Sequence, residues 1–267
     1  MKVLVTGANG YLGQGIVAEI QNNGHEVICA DFSVNNIKAQ TRAIACNLFS
    51  IESPFEYFGE PDCLLHLAWR DGFIHNSEAH INDFANHCNF INKMLKAGLK
   101  QIAVMGTMHE IGFYEGSIDE NTSCHPMTCY GVAKNALRDY LKMVATQNNV
   151  KWQWLRGYYI VGNSTFGNSI FSKITACEKE GKTEFPFTMG QNQYDFIDYD
   201  DIDYDELDFS EAVQLDKMDE VNGFSGAAYD AWLDRQADEY NDPHVADFCD
   251  KEAVKVVELD EVCRMQQ

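Results

Sequence analysis

A short apolar run leading straight into three evenly spaced glycines constrains this chain more than any other feature. Lys2-Val3-Leu4-Val5-Thr6 runs into Gly7-x-x-Gly10-x-x-Gly13, and Ile16, Val17 and Ile20 then recur at helical spacing. Val3 to Val5 reads as a strand buried on both faces. Strand, glycine turn and helix in that order are the setting a dinucleotide-binding turn requires. The first glycine permits the tight turn, the second lets backbone approach a pyrophosphate, and the third lets the helix pack closely on the strand. Backbone N–H groups of Asn9, Gly10, Tyr11 and Leu12 would face the phosphates at the positive end of the helix dipole.

The next strand, Glu26 to Ala30, ends at Asp31, about twenty residues beyond the glycines. An acid there binds adenosine ribose hydroxyls. Phe32 and Ser33 follow, with no Arg to hold a 2′-phosphate, so NAD is expected over NADP. Further strands are predicted near 42–46, 63–67, 101–105 and 151–156, and helices near 11–23, 77–97, 127–148 and 167–181. Such alternation predicts an α/β fold, a Rossmann-type doubly wound parallel sheet. Ligands then lie outside the carboxyl ends of the strands, where Gly7, Asp31, Ala68, Thr107 and Arg156 all fall.

Tyr130 and Lys134 are four residues apart on the predicted helix, so they share one face. An ammonium beside a phenol favours the phenolate, which predicts a Tyr130 pKa below the usual value of about 10 and a general acid or base usable near neutral pH. Thr107 lies just past the predicted strand at 101–105, at the same sheet edge.

Taken together, these residues resemble the extended short-chain dehydrogenase/reductase family, over Met1 to about Asp201. The resemblance is carried by Thr6-Gly7-Ala8-Asn9-Gly10-Tyr11-Leu12-Gly13, His66-Leu67-Ala68-Trp69, Met105-Gly106-Thr107, Tyr130-x-x-x-Lys134, Leu155-Arg156-Gly157-Tyr158-Tyr159-Ile160-Val161-Gly162 and Asp195-Phe196-Ile197-Asp198-Tyr199-Asp200-Asp201. It implies that Thr107, Tyr130 and Lys134 are catalytic, with Lys134 also reaching the nicotinamide ribose. It also implies cofactor contacts at Asn47, Leu48, Leu67, Ala68, Trp69 and Tyr158. Family 4,6-dehydratases carry an Asp-Glu pair after the catalytic Thr; Met108 and His109 stand there instead. The resemblance therefore narrows to nucleotide-sugar 4-ketoreductases, with 4-epimerases and a cofactor-binding protein without turnover as alternatives. A nucleotide-sugar substrate follows, touched by His109, Glu110 and Tyr159, and relatives imply a homodimer.

Composition matters mainly at the C-terminus. Residues 195–267 hold 23 of the 41 acidic residues and five of the 20 basic ones, so most of the net charge of −21 sits there. Nucleic acid and anionic membrane surfaces are poor partners for such a chain. The acidic run reads as a solvated surface. No apolar run approaches the roughly 20 residues of a membrane span, and strand residues begin at once, so neither a membrane segment nor a signal peptide is expected. Nine scattered Cys residues without a Cys-x-x-Cys pair suggest reduced thiols in a cytoplasmic protein. The eight His residues show no metal-ligand spacing, so no metal is expected. The division expected is a Rossmann domain over 1–165 and a small, diverged C-terminal substrate lobe over 166–267. In that lobe 221–226 faintly suggests a strand, while 231–235 and 253–257 read as helical.

Overall fold

The computed structural model describes residues 1–38, 40–114, 116, 118, 121–161, 170–187, 196–198 and 255–258. They divide between two compact units. The larger holds the described residues of Met1–Gly112 and Ile118–Tyr158, and the smaller those of Phe113–Ser117, Tyr159–Asp201 and Met218–Gln267.

The larger unit is built on β1 (Lys2–Thr6), β2 (Glu26–Asp31), β3 (Arg42–Ala45), β4 (Cys63–His66), β5 (Gln101–Thr107) and β6 (Lys151–Gly157). They form one sheet ordered β3-β2-β1-β4-β5-β6, and every neighbouring pair is parallel. Its helices are α1 (Tyr11–Asn22), the single turn α2 (Pro54–Tyr57), α3 (Ala79–Ala97) and α4 (Cys129–Asn148). The six strands and three longer helices lie within a few residues of their predicted places.

Alternate side chains of each strand enter opposite cores, as the two-residue period requires. Val3, Val5, Val27, Cys29, Cys63, Leu65, Ala103 and Leu155 pack with Ile16, Val17 and Ile20 of α1. On the other face Leu4, Ile28, Leu64, Ile102, Val104 and Trp154 meet Ile91, Met94 and Leu95 of α3 and Leu137, Leu141 and Val144 of α4. A sheet covered on both faces has no polar side, which explains why its strands are nearly continuous apolar runs. Strand order reverses between β1 and β4, and sheets of this kind bind ligands outside the carboxyl ends of the strands at such a switch point.

In the smaller unit, β7 (Tyr159–Val161) pairs in parallel with β9 (Phe196–Asp198), and α5 (Ile170–Lys179) precedes β8 (Glu184–Phe187). β8 pairs antiparallel with β10 (Lys255–Glu258). The helix expected over 253–257 is therefore corrected to a strand at 255–257, and 253–254 lie outside the described residues. Val256 and Val257 are β-branched, lose side-chain freedom in a helix and suit a pleated surface. The segments 221–226 and 231–235 lie outside the described residues.

Candidate active site

Gly7 ends β1 in the left-handed region, with φ of 75°. A Cβ on it would stand 2.6 Å from the Ala68 backbone nitrogen, so no larger residue fits between the β1 turn and the end of β4. A Cβ on Gly13 would lie 2.5 Å from the Gly7 carbonyl oxygen. Gly10 differs: it is exposed, and only that carbonyl approaches its Cβ position, at 3.2 Å. It sits at the N-cap of α1, where no side chain caps the helix and no acid occupies the first turn. An open, uncapped helix N-terminus beside a bare glycine fits a dinucleotide pyrophosphate.

Asp31 closes the other wall. Its carboxylate accepts from the Asn9 N–H at 3.0 Å and from the Phe32 N–H at 2.7 Å, and Asn9 Oδ1 accepts from the Asn36 N–H at 2.8 Å. The acid expected to hold a ribose thus also stitches the glycine turn to β2. Asn47 accepts from the Phe49 N–H at 3.1 Å and caps the short 3-10 turn Leu48–Ser50. The Leu48 side chain is buried in the core, leaving its backbone alone for any contact with adenine. Leu67 and Ala68 follow β4, both partly buried, and Tyr158 follows β6.

The proton-bearing groups converge at the end of β5. Thr128 caps α4 by accepting from the Gly131 N–H at 3.1 Å. The preceding amides are held by the segment before α3: Cys129 N–H donates to Asn76 Oδ1 at 3.3 Å and Tyr130 N–H to the His75 carbonyl at 2.8 Å. Tyr130 is thereby fixed at a fully capped helix start. As a residue it is half-buried, but its hydroxyl points inward; a Cβ on Gly72 would stand 4.0 Å from it. Rings of Trp69, His75, His80 and His109 surround it, with centroids 5.0 to 6.1 Å away.

Tyr130 and Thr107 share a hydrogen bond. Burial nevertheless raises the phenol to about 12; the Thr107 bond pulls it down, and the nearby Glu110 charge adds to the rise. The expected depression by Lys134 is therefore corrected for the chain by itself. Lys134 Nζ lies 6.0 Å from the Tyr130 ring centroid and donates instead to the Met105 carbonyl at 2.7 Å. Burial lowers the amine itself to about 7, against the pull of Glu110. An ammonium that is costly to keep charged is a weak lever on its neighbour.

Glu110 is a second correction. Expected to touch substrate, it is fully buried. Its carboxylate accepts from Thr107 N–H at 2.7 Å, Trp154 Nε1–H at 2.9 Å and Arg156 Nε–H at 3.4 Å. Arg156, at the carboxyl end of β6, is the ion-pair partner. Burial pushes the Glu110 carboxyl up, and Arg156 most strongly opposes the rise. The acid is a post that holds the β5 end, with Thr107 at the corner of a capping box. Thr107 Oγ1 accepts from the His109 N–H at 3.4 Å as well as pairing with Tyr130, so the hydroxyl both caps and faces the phenol. His109 is buried, its ring 4.0 Å from His75, and desolvation takes it down to about 3. Tyr159 opens β7 in the smaller unit.

Sequence reasoning missed the roles of His75, His80 and His87. His80 and His87 are seven residues apart on a predicted helix, hence on one face, and that spacing was the available signal. Among the described residues no three of His, Cys, Asp and Glu form a group that could hold a metal ion, and no helix is long and apolar enough to cross a membrane.

A sheet in this order, with a glycine turn at its switch point and a phenol–lysine pair at the same edge, defines the dinucleotide-binding class of short-chain dehydrogenases and reductases. Residues 3–202 match the NAD dependent epimerase/dehydratase family, and the chain belongs to that family. It is 40% identical over 204 residues to dTDP-6-deoxy-L-talose 4-dehydrogenase (NAD(+)) of Aggregatibacter actinomycetemcomitans, a match spanning 74% of this chain and 76% of that protein. Among solved structures it resembles UDP-glucose 4-epimerase of Thermotoga maritima with UDP-glucose, with TM-score 0.65, 22% identity, and 76% and 71% of the two chains covered. UDP-glucuronic acid 4-epimerase of Bacillus cereus, in complex with UDP-glucuronic acid and NAD, gives TM-score 0.64 at 21% identity, over 75% and 70% of the chains. At such identities these two structures speak for the fold.

Proposed function

We propose that this chain is an NAD-dependent oxidoreductase that reduces the C4 ketone of a nucleotide-linked deoxysugar, in the manner of a 4-ketoreductase. One observation carries the reading: the Tyr130 phenol faces Thr107 at the carboxyl end of β5, and the Lys134 amine is anchored on the Met105 carbonyl of the same strand. A phenol so placed can exchange a proton with a substrate oxygen held beside it. The 40% identity to a dTDP-sugar 4-dehydrogenase supports the substrate class.

In this reading Gly7, Gly10 and Gly13, with the Asn9, Tyr11 and Leu12 amides, hold the pyrophosphate. Asp31 takes the adenosine ribose, Asn47 and Leu48 flank the base, and Leu67, Ala68, Trp69 and Tyr158 line the nicotinamide side. Bound NADH supplies the hydride. Tyr130 gives its proton to the ketone oxygen, and Thr107 steadies the charge developing there. Lys134 holds the nicotinamide ribose and returns a proton toward Tyr130. His109 and Tyr159 are the proposed sugar contacts. The same reading makes the protein a cytoplasmic homodimer; the seven described cysteines are all free, which suits a reducing compartment.

The test is a panel of dTDP- and UDP-linked 4-keto sugars assayed with NADH and NADPH. Turnover of a dTDP-6-deoxy-4-keto sugar with NADH supports the proposal. No turnover of any member overturns it, and NAD recovered tightly bound from purified protein that interconverts C4 epimers replaces it with an epimerase. Asp31→Ala is expected to weaken NAD binding about ten- to a hundredfold, the scale of a charge-assisted hydrogen bond, and to narrow the preference over NADP. Isothermal titration with both cofactors checks this. Equal dissociation constants in wild type and variant would remove Asp31 from the ribose.

A further inference from the structure

We infer that Trp69 is a positioning residue for Lys134, holding the amine between the indole face and the Met105 carbonyl. The inference rests on the part given to Lys134 in the reaction proposed above. Lys134 Nζ sits 4.0 Å from the indole centroid while donating to Met105 O at 2.7 Å. That distance is well inside the range of cation–π attraction. Two anchors from different elements, the end of β5 and the loop after β4, thus fix one nitrogen.

The indole is itself held. Its Nε1–H donates to His80 Nδ1 at 2.9 Å, which leaves His80 Nε2 to carry the proton and donate to the Ile74 carbonyl at 2.9 Å. Its ring stacks on His87 at 4.4 Å between centroids and 15° between planes. His87 Nδ1 is bonded to His66 Nε2 at 2.9 Å, and His66 Nδ1 to Thr6 Oγ1 at 2.7 Å. Thr6 is the last residue of β1, immediately before the glycine turn. A continuous chain therefore runs from the cofactor turn through His66, His87 and Trp69 to the amine. Its branch through His80 reaches Ile74, next to the carbonyl that holds the Tyr130 amide.

Few other groups can keep Lys134 charged. From the elements packed around it come Glu110 after β5, His66 on β4, His80 and His87 on α3, and Tyr130 one turn earlier on its own helix. The histidines are all pushed toward the neutral form by burial, and the phenol keeps its proton. Among the described residues Glu110 is the anion that acts on it, and it is already committed to Arg156 and two further donors. The Met105 carbonyl and the π face of Trp69 supply the remaining attraction for the ammonium, against the burial that draws the amine down.

The experiment places fluorinated tryptophans at position 69, alongside Trp69→Leu and Trp69→Phe, and reads the Lys134 amine by ¹³Cε/¹⁵Nζ NMR titration of lysine-labelled protein. Fluorination drains the π face without changing the ring's shape, so these proteins keep the packing on His87 that Trp69→Leu removes. Lys134 is expected to titrate lower with each added fluorine, by about half to one and a half pH units at the extreme. The alkaline limb of the kcat/KM profile should move down by the same amount, with Trp69→Phe in between. A Lys134 titration that stays at its wild-type position across the fluorinated series overturns the inference. The NMR readout needs no turnover, so a protein inactive on every sugar but showing the shift would refute the proposed reaction and leave the positioning standing.

Discussion

Tyr130→Phe is expected to lower kcat/KM for ketone reduction by about 10²- to 10⁴-fold, the usual contribution of a placed general acid. That corresponds to about 3–5 kcal/mol of transition-state stabilisation. The substitution removes one oxygen and keeps the ring, so the packing against Trp69, His75, His80 and His109 survives. The backbone bond from residue 130 to His75 survives with it. Affinity for NADH should therefore change less than about twofold, since no cofactor contact in the glycine turn or at Asp31 is touched. Steady-state kinetics and cofactor titration on the same preparation separate the two. Loss of cofactor binding in parallel with rate would show that the phenol supports structure; full activity would show that the proton comes from elsewhere. The wild-type phenol titrates to about 12 through burial, so the donor stays loaded from acid pH to well above neutrality. The reductive rate should then be limited on the alkaline side by Lys134, whose amine burial brings down to about 7, so that it gives up its proton before Tyr130 does.

How much of this was legible in the sequence depends on how far each interaction reaches along the chain. The β1 turn, α1 and the face shared by Tyr130 and Lys134 are local, written in spacings of two to four residues, and the structure places all of them as expected. The parallel sheet was implied by the alternation of strands and helices, because parallel neighbours need crossover connections. Glu110 was misread because its partners Trp154 and Arg156 lie on the next strand, more than forty residues away. Nothing near it announces a buried ion pair. The electrostatic reading of Tyr130 failed for a related reason: a Lys four residues away says nothing of how deeply either group is buried, and burial dominates both titrations. The chain from Thr6 through His66 and His87 joins three separate elements. Sequence showed the histidines without showing that they meet.

That same cluster leads to a steep loss of stability in mild acid. Desolvation holds His66, His75, His87 and His109 well below the ordinary His value of about 6.5. In the unfolded chain all four take up protons as pH falls through 6.5; in the folded chain they stay neutral. Their contribution is therefore fully present above about pH 6.5 and drains away below it, at about 1.4 kcal/mol per pH unit for each. Between pH 7.5 and 5.5 the loss should reach about 5 kcal/mol, a large part of the 5–15 kcal/mol typical of a folded domain. Denaturant titrations at pH 7.5, 6.5 and 5.5, followed by circular dichroism, measure it. The direction is diagnostic, because the chain carries a net charge of −21 and acidification should otherwise relieve its self-repulsion. Stability that is flat or rising across this interval would mean that the histidines are solvated enough to charge in place. His109→Gln, which removes one of the four titrating groups and leaves the Thr6–His66–His87 bonds in place, should flatten the slope by about a quarter.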